Sequence, residues 1–321
     1  MKALALLEQN QWPKSVETVQ PVPGENQVLV NIQAAALNRR DVWIVNGRYP
    51  GISYPIILGS DGAGLTGDKK VIIQPGINWG SNEKVQSKTY QIMGLPTNGT
   101  FAEFLTVDKN QVFEMPPHLV FEEAAALPLA GLTAFRILFS RCQAKHGERL
   151  LITGIGGGVA VLCLQFAIAA GLSVHVTSSS DSKIERAIGL GASGGANYSN
   201  SDWPEHLKKQ AENFDIILDS AGGDGFPDLV KLCAPAGRIG IYGGTKGPIP
   251  VLSPQLIFWR QISILGSTMG SDTDFSEMLA FVAKHRIVPI IDSVFLIEEG
   301  EKAFERLESG KQFGKVVLKI S

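Results

Sequence analysis

Cysteine is scarce and badly placed for its usual structural work. The chain holds three, Cys142, Cys163 and Cys233, an odd number scattered along 321 residues. They build no disulfide framework. Cys142 and His146 stand near one another, but two ligands do not make a zinc site. Charge of one sign is lacking as well. A formal net charge of −2 removes electrostatic attraction to nucleic acid or an anionic membrane as the basis of a partnership. No apolar run is long enough to span a membrane. The opening run MKALALLEQNQW meets Glu8 too early to read as a signal peptide. These absences lead to the expectation of a cytoplasmic protein with no membrane or nucleic-acid partner.

Glycine is abundant, and its densest cluster lies in Arg149–Gly171, RLLITGIGGGVAVLCLQFAIAAG. An apolar β run meets Gly154, Gly156, Gly157 and Gly158, and an almost wholly apolar segment follows. Strand, glycine turn and buried helix in that order suit a dinucleotide-binding βαβ unit. The glycines let backbone N–H groups approach a pyrophosphate, and the helix points its positive end at the anion. The third fingerprint position is Val159 or Ala160 rather than glycine. A glycine-rich connection in another α/β fold is the alternative at this point.

Length suggests about two domains. Residues 1–120 carry short β runs between turn residues, with strands expected at 27–33, 69–73 and 102–107 and a helix near 38–45. This half reads as a partly open β-barrel. Residues 74–100 form a long polar connection punctuated by Gly and Pro, of the kind that is often functional. From Phe121 the pattern changes. Helices are expected at 122–130 and from 132. Strands at 150–152, 172–177, 196–198, 215–219, 238–242 and 262–266 then alternate with helices at 182–190, 203–210 and 225–232. That alternation predicts a doubly wound parallel sheet. The tail adds helices at 275–284 and 299–308 and strands at 294–296 and 316–319, expected to fold back onto the first domain.

The second strand of the nucleotide unit ends Val174-His175-Val176-Thr177-Ser178-Ser179-Ser180. An NAD-selective site puts an acid at that strand end for the ribose hydroxyls. None stands there, and Asp181 is expected to cap the next helix. Hydroxyls from Thr177 to Ser180 suit a 2′-phosphate, and Lys183 supplies charge. The residues therefore favour NADP(H). His175, on an apolar strand, reads as core or adenine-lining.

With these residues in hand, the chain resembles the zinc-free quinone oxidoreductase branch of the medium-chain dehydrogenase/reductase superfamily. The resemblance rests on ordered blocks: Ala36-Leu37-Asn38-Arg39-Arg40-Asp41, Gly47-Arg48-Tyr49-Pro50, Gly59-Ser60-Asp61-Gly62-Ala63-Gly64 and Gly99-Thr100-Phe101-Ala102-Glu103. They continue through Ala126–Ala134, the glycine loop, Asp219-Ser220-Ala221-Gly222-Gly223 and Phe313-Gly314-Lys315-Val316-Val317-Leu318. It implies an α/β chain with a Rossmann-like doubly wound parallel sheet, 121–266, that binds NADP(H). A GroES-like, partly open β-barrel domain would come from 1–120 and 267–321.

In zinc-dependent relatives a Cys stands at the position of Asn38 and Gly-His-Glu at Gly59-Ser60-Asp61. Residues 74–100, where those relatives carry a structural zinc lobe, contain no Cys. The resemblance thus implies no metal site, catalytic or structural. Without a Lewis acid, alcohol oxidation is disfavoured. Hydride addition to a quinone or α,β-unsaturated carbonyl remains feasible, because conjugation spreads the developing charge.

The resemblance implies catalytic roles for Asn38, donating to the substrate oxygen, and Tyr49, donating or supplying a proton. Thr133 would touch the nicotinamide. Gly156, Gly157, Gly158 and Val159 would hold the pyrophosphate, and Ser178, Ser179, Lys183 and Tyr198 the 2′-phosphate end. Gly243, Gly244, Ser267, Thr268 and Met269 would run along the cofactor. Trp79, Tyr90 and Met93 are expected to line or cover the substrate entrance. The implied protein is a homodimeric NADPH-dependent reductase, pairing subunits through the strand near 262–266. The alternatives are an enoyl-thioester reductase and a non-catalytic NADPH-binding protein.

Overall fold

A computed structural model describes residues 1–320. The chain forms two compact units, Met1–Leu132 with the stretch from Met269 onward, and Thr133–Thr268. The expected boundaries lay at 120/121 and 266/267. The helix Phe121–Ala125 packs on the strands Gln27–Ala36 and Asp61–Thr66, and so falls with the first unit.

In the first unit a seven-stranded sheet and a three-stranded sheet enclose one core. The ten-residue strand Gln27–Ala36 organises the larger sheet. Its first half pairs with Phe104–Asp108. Its second half lies between Asp61–Thr66 and Lys315–Lys319, with Ala36 opposite Asp61 on one side and Val317 on the other. The register matters for function, because it delivers Asn38, just beyond the strand end, between Asp61 and Lys315. Leu4, Leu6, Ile32, Leu58, Phe101 and Phe304 fill the core, with Phe101 edge-on to Phe304 at 6.2 Å between ring centres. Each such ring or branched chain contributes about 1.5–3 kcal/mol by leaving water.

The strand Asp61–Thr66, DGAGLT, has no β-branched run to betray it. It exists because Gly64 lets two backbones meet: a Cβ there would sit 2.1 Å from the Asn31 carbonyl oxygen. Residues 74–100 are also more structured than their composition suggests. Gly76–Ile77 and Gln91–Ile92 form a two-stranded ribbon.

The second unit is a six-stranded parallel sheet. Its spatial order is Gly194–Asn197, Ser173–Ser178, Arg149–Ile152, Phe214–Asp219, Cys233–Ile241, Ser263–Gly266. The chain therefore starts in the middle, works outward one way, then returns to fill the other side. Ligands of such sheets bind beyond the carboxyl ends of the strands where the direction reverses, here between Arg149–Ile152 and Phe214–Asp219. The glycine loop leaves the sheet at that point. The helix Gly158–Ala169 follows it, its side chains from Ala160 to Leu164 all buried. No helix among the described residues is long and apolar enough to cross a membrane.

Candidate active site

Asn38 follows the strand Gln27–Ala36 and precedes the helix Arg39–Val45. Its backbone N–H donates to Asp41 Oδ2 at 2.7 Å, closing the first turn of that helix. Its side chain is held from two sides. Lys315 Nζ donates to Asn38 Oδ1 at 2.6 Å, and Asn38 Nδ2 donates to Asp61 Oδ2 at 2.9 Å. An ammonium only donates and a carboxylate only accepts, so the amide orientation is fixed by its partners. Lys315 also donates to Asp61 Oδ2 at 2.8 Å, and the Leu129 backbone N–H donates to Asp61 Oδ1 at 2.8 Å. Lys315 and Asp61 are both buried. Asn38 keeps one amide hydrogen beyond the one given to Asp61.

Ser60 is held by a second cation. Arg40 Nη1 donates to Ser60 Oγ at 2.6 Å and to the Met93 carbonyl at 2.8 Å, while Ser60 Oγ donates to the same carbonyl at 2.8 Å. The Arg40 guanidinium lies 5.4 Å from the centre of the half-buried Tyr49 ring. Asp41 is fully buried beside these groups, and burial lifts its carboxyl to about 6. Arg40, the Asn38 N–H and Lys315 pull it back down, and Asp61 adds to the rise.

The residues do not fit a zinc ion. Asn38 and Ser60 offer an amide and a hydroxyl, each already committed to a protein cation, and Asp61 is tied to an ammonium. Among the described residues no group of three or more His, Cys, Asp or Glu side chains is placed to hold a metal. The three cysteines are buried, and burial pushes the Cys142 and Cys233 thiols to about 12 and raises Cys163 too.

The second unit does fit a dinucleotide. Gly154 and Gly156 have φ of +66° and +123°, backbone that favours glycine. Gly157 is different. Its φ is −72°, and a Cβ there would meet nothing within 4 Å. Nothing in the protein demands glycine at that position, just before the positive end of the helix Gly158–Ala169, so the open space is what an approaching pyrophosphate would use. Thr153 Oγ1 donates to Asp219 Oδ1 at 2.7 Å and the Gly222 N–H donates to Asp219 Oδ2 at 2.7 Å. Asp219 thus ties the loop to the neighbouring strand end.

Around the next strand end the structure gathers Ser178, Ser179, Lys183 and Tyr198. The Tyr198 N–H donates to the Ser178 carbonyl at 2.9 Å, and Lys183 lies in the first turn of Asp181–Gly189. Ser180, not Asp181, is the capping residue of that helix. Asp181 accepts from Asn197 Nδ2 at 2.9 Å instead. Gly243, Gly244, Ser267 and Thr268 follow the ends of later strands. A Cβ on Gly243 would lie 2.8 Å from the Ser220 carbonyl oxygen, whereas Gly244 faces open space. Val159 begins the apolar helix, half-buried. Thr133 is buried at the start of this unit, and Met269 begins the returning stretch of the first. His175 is buried with its ring 5.3 Å from that of Phe214, a core position.

Trp79 and Met93 do not form an entrance. Both are buried, Trp79 edge-on to Tyr90 at 5.2 Å and Met93 within the core. Both apolar side chains are taken up in packing.

Comparison with known proteins adds to this geometry. Residues 24–117 match the family model of the alcohol dehydrogenase GroES-like domain, and residues 158–284 that of the zinc-binding dehydrogenases. A zinc-type alcohol dehydrogenase-like protein YogA of Leptosphaeria maculans is 34% identical, over 96% of this chain and 95% of its own. The chain belongs to the medium-chain dehydrogenase/reductase superfamily. A quinone oxidoreductase of Mus musculus in the same superfamily is 28% identical over 94% of this chain and 92% of its own. A solved structure described as an NAD-dependent alcohol dehydrogenase superposes with a TM-score of 0.93 at 33% identity, covering 100% of both chains. As a member of this superfamily the chain is an oxidoreductase built to bind a nicotinamide cofactor.

Arg40 and Lys315 were not singled out as functional in the sequence. Each appears there only inside a longer block of matching residues. Lys315 carries a legible signal: it is a charged residue opening a strand whose next three residues are all apolar. Arg40 carries none, because its neighbour Arg39 looks the same in sequence.

Proposed function

We propose that this oxidoreductase is a cytoplasmic NADPH-dependent reductase of quinones or α,β-unsaturated carbonyls that works without zinc. The observation that carries the reading is the pair of organic cations bonded to the two residues that stand where zinc-dependent relatives carry ligands, Lys315 on Asn38 and Arg40 on Ser60. A carbonyl conjugated to an alkene or a quinone ring needs no metal to accept hydride, since its charge spreads onto oxygen and is met by hydrogen-bond donors. The names of relatives span quinone oxidoreductases and zinc-type alcohol dehydrogenase-like proteins, and the donor set of this chain favours the former.

When bound, the reduced nicotinamide would supply a hydride, that is, two electrons and a proton. The backbone N–H groups of Gly156, Gly157, Gly158 and Val159 would hold the pyrophosphate. Ser178, Ser179, Lys183 and Tyr198 would take the 2′-phosphate. The capture of Asp181 by Asn197 supports this, since that carboxylate is held by an amide rather than left free to repel the phosphate. Thr133, Gly243, Gly244, Ser267, Thr268 and Met269 would line the nicotinamide end. Asn38 donates its remaining amide hydrogen to the acceptor oxygen, in an orientation that Lys315 and Asp61 enforce. Tyr49 or water delivers the proton that completes the reduction.

A homodimer is part of the reading. The edge strand Ser263–Gly266 has one neighbour in its sheet, and Phe258 and Trp259 beside it are 64% and 82% exposed. Pairing of two such edges would cover both. Sedimentation at micromolar protein tests it. NADPH oxidation against a panel of quinones, enones and enoyl-thioesters tests the activity.

A further inference from the structure

The strand Ser173–Ser178 and its neighbour Gly194–Asn197 end side by side, with Ser178 opposite Asn197. One side chain ties together the two segments that leave these ends. Asn197 Nδ2 donates to Asp181 Oδ1 at 2.9 Å and, at the longer 3.5 Å, to the Ser179 carbonyl. Asn197 Oδ1 accepts the Ser199 N–H at 3.0 Å, an Asx-turn that carries the chain past Tyr198. Donor and acceptor ends of the amide are both used, so its partners fix its orientation. Ser179 and Asp181 are exposed and Tyr198 is 43% exposed, so this group of residues is open to solvent.

Asp181 is the acidic residue in the first turn of the helix Asp181–Gly189. The positive end of a helix favours a carboxylate as it favours a phosphate. A carboxylate left loose beside this strand end would take ribose hydroxyls and repel a 2′-phosphate. In the fold Asp181 is not loose. Asn197 anchors it to Gly194–Asn197, the outermost strand of the sheet.

We infer that Asn197 determines cofactor specificity as a positioning residue: it holds the Asp181 carboxylate against the outermost strand and leaves Ser178, Ser179 and Lys183 to a 2′-phosphate. The inference rests on the NADPH reading above and deepens it. Preference for the phosphorylated cofactor then depends on what restrains the one nearby acid as well as on the presence of a lysine. Released from Asn197, Asp181 regains its other rotamers, and its charge opposes a phosphate at the same strand end.

The test reads binding rather than turnover, so it stands apart from the identity of the substrate. Adenosine 2′,5′-bisphosphate and 5′-AMP differ only by the 2′-phosphate, and calorimetric titration of the full chain gives a Kd for each. The wild type is expected to prefer the bisphosphate. Asn197→Ser keeps an oxygen for the Ser199 N–H but is too short to reach Asp181. It should weaken the bisphosphate at least about tenfold and 5′-AMP by less than about twofold. Adding Asp181→Asn to that variant should restore most of the lost affinity, a rescue that a merely structural role for Asn197 would not give. Asp181→Asn alone, an exposed substitution that carries the test if Asn197→Ser does not fold, should tighten the bisphosphate by less than about threefold, because the charge is already restrained. A tenfold tightening there, an equal loss of both fragments in Asn197→Ser, or no rescue in the double variant overturns the assignment. A wild-type preference that Asn197→Ser leaves intact overturns the role of Asn197 alone. A wild type that binds both fragments equally overturns the NADPH reading itself, and the role of Asn197 with it.

Discussion

Lys315 Nζ lies 2.8 Å from Asp61 Oδ2 and 2.6 Å from Asn38 Oδ1, with all three side chains buried. The arrangement joins the C-terminal strand Lys315–Lys319 to the strand end that carries Asn38. Removing one partner of a buried ion pair leaves the other uncompensated, at about 3–5 kcal/mol. Lys315→Met should therefore lower unfolding stability by that order in urea titrations. Replacing both residues, Lys315→Met with Asp61→Leu, should recover much of it. A double variant no more stable than the single one would show that the pair is not the source of the loss.

Asp41 gives stability a specific pH dependence. Its folded value of about 6 lies above its unfolded value, so the native state binds the proton more tightly. Its contribution is fully present below the unfolded pKa and is lost as pH rises through about 6. Asp41→Asn keeps an acceptor for the Asn38 N–H and removes the titration. The variant's stability relative to wild type should rise between pH 4 and pH 7.5, by on the order of 3 kcal/mol. Unfolding curves that shift in parallel at both pH values would contradict the assignment.

The proposed preference for NADPH puts Lys183 at the 2′-phosphate. Reversing its charge places a carboxylate beside Ser178, Ser179 and Tyr198. Lys183→Glu should raise the KM for NADPH far more than that for NADH. Equal effects on both cofactors would remove the 2′-phosphate assignment.

Gly157 separates a binding role from a folding role. With φ of −72° and open space around a Cβ, Gly157→Val should change unfolding stability by no more than about 0.5 kcal/mol. Its cofactor Kd, followed by fluorescence titration, should rise at least about tenfold, or roughly 1.4 kcal/mol. Unaltered binding would mean that the dinucleotide does not approach the loop at this residue.

Much of the nucleotide unit was legible in the sequence, because its central strands Arg149–Ile152 and Phe214–Asp219 are short apolar runs bounded by turn residues. The strand Asp61–Thr66 was not. It depends on a backbone approach at Gly64 that only the partner strand reveals. The site divides in the same way. The glycine loop could be singled out from its own pattern, and Asn38 and Ser60 from the family resemblance. What holds Asn38 could not, because Lys315 reaches it across the pairing of strands far apart in the chain. Arg40 acquires meaning only from its bonds to Ser60 and the Met93 carbonyl. The apolar residues Trp79 and Met93 looked available for a substrate entrance, and packing claimed them instead.

The most direct measurement is stopped-flow oxidation of NADPH by an enone and by a quinone, with protein dialysed against a strong zinc chelator and assayed beside untreated protein. Undiminished two-electron reduction after chelation, with no oxidation of simple alcohols by NADP, is the expected result. Activity that vanishes on chelation and returns with zinc, or turnover confined to simple alcohols, would contradict it.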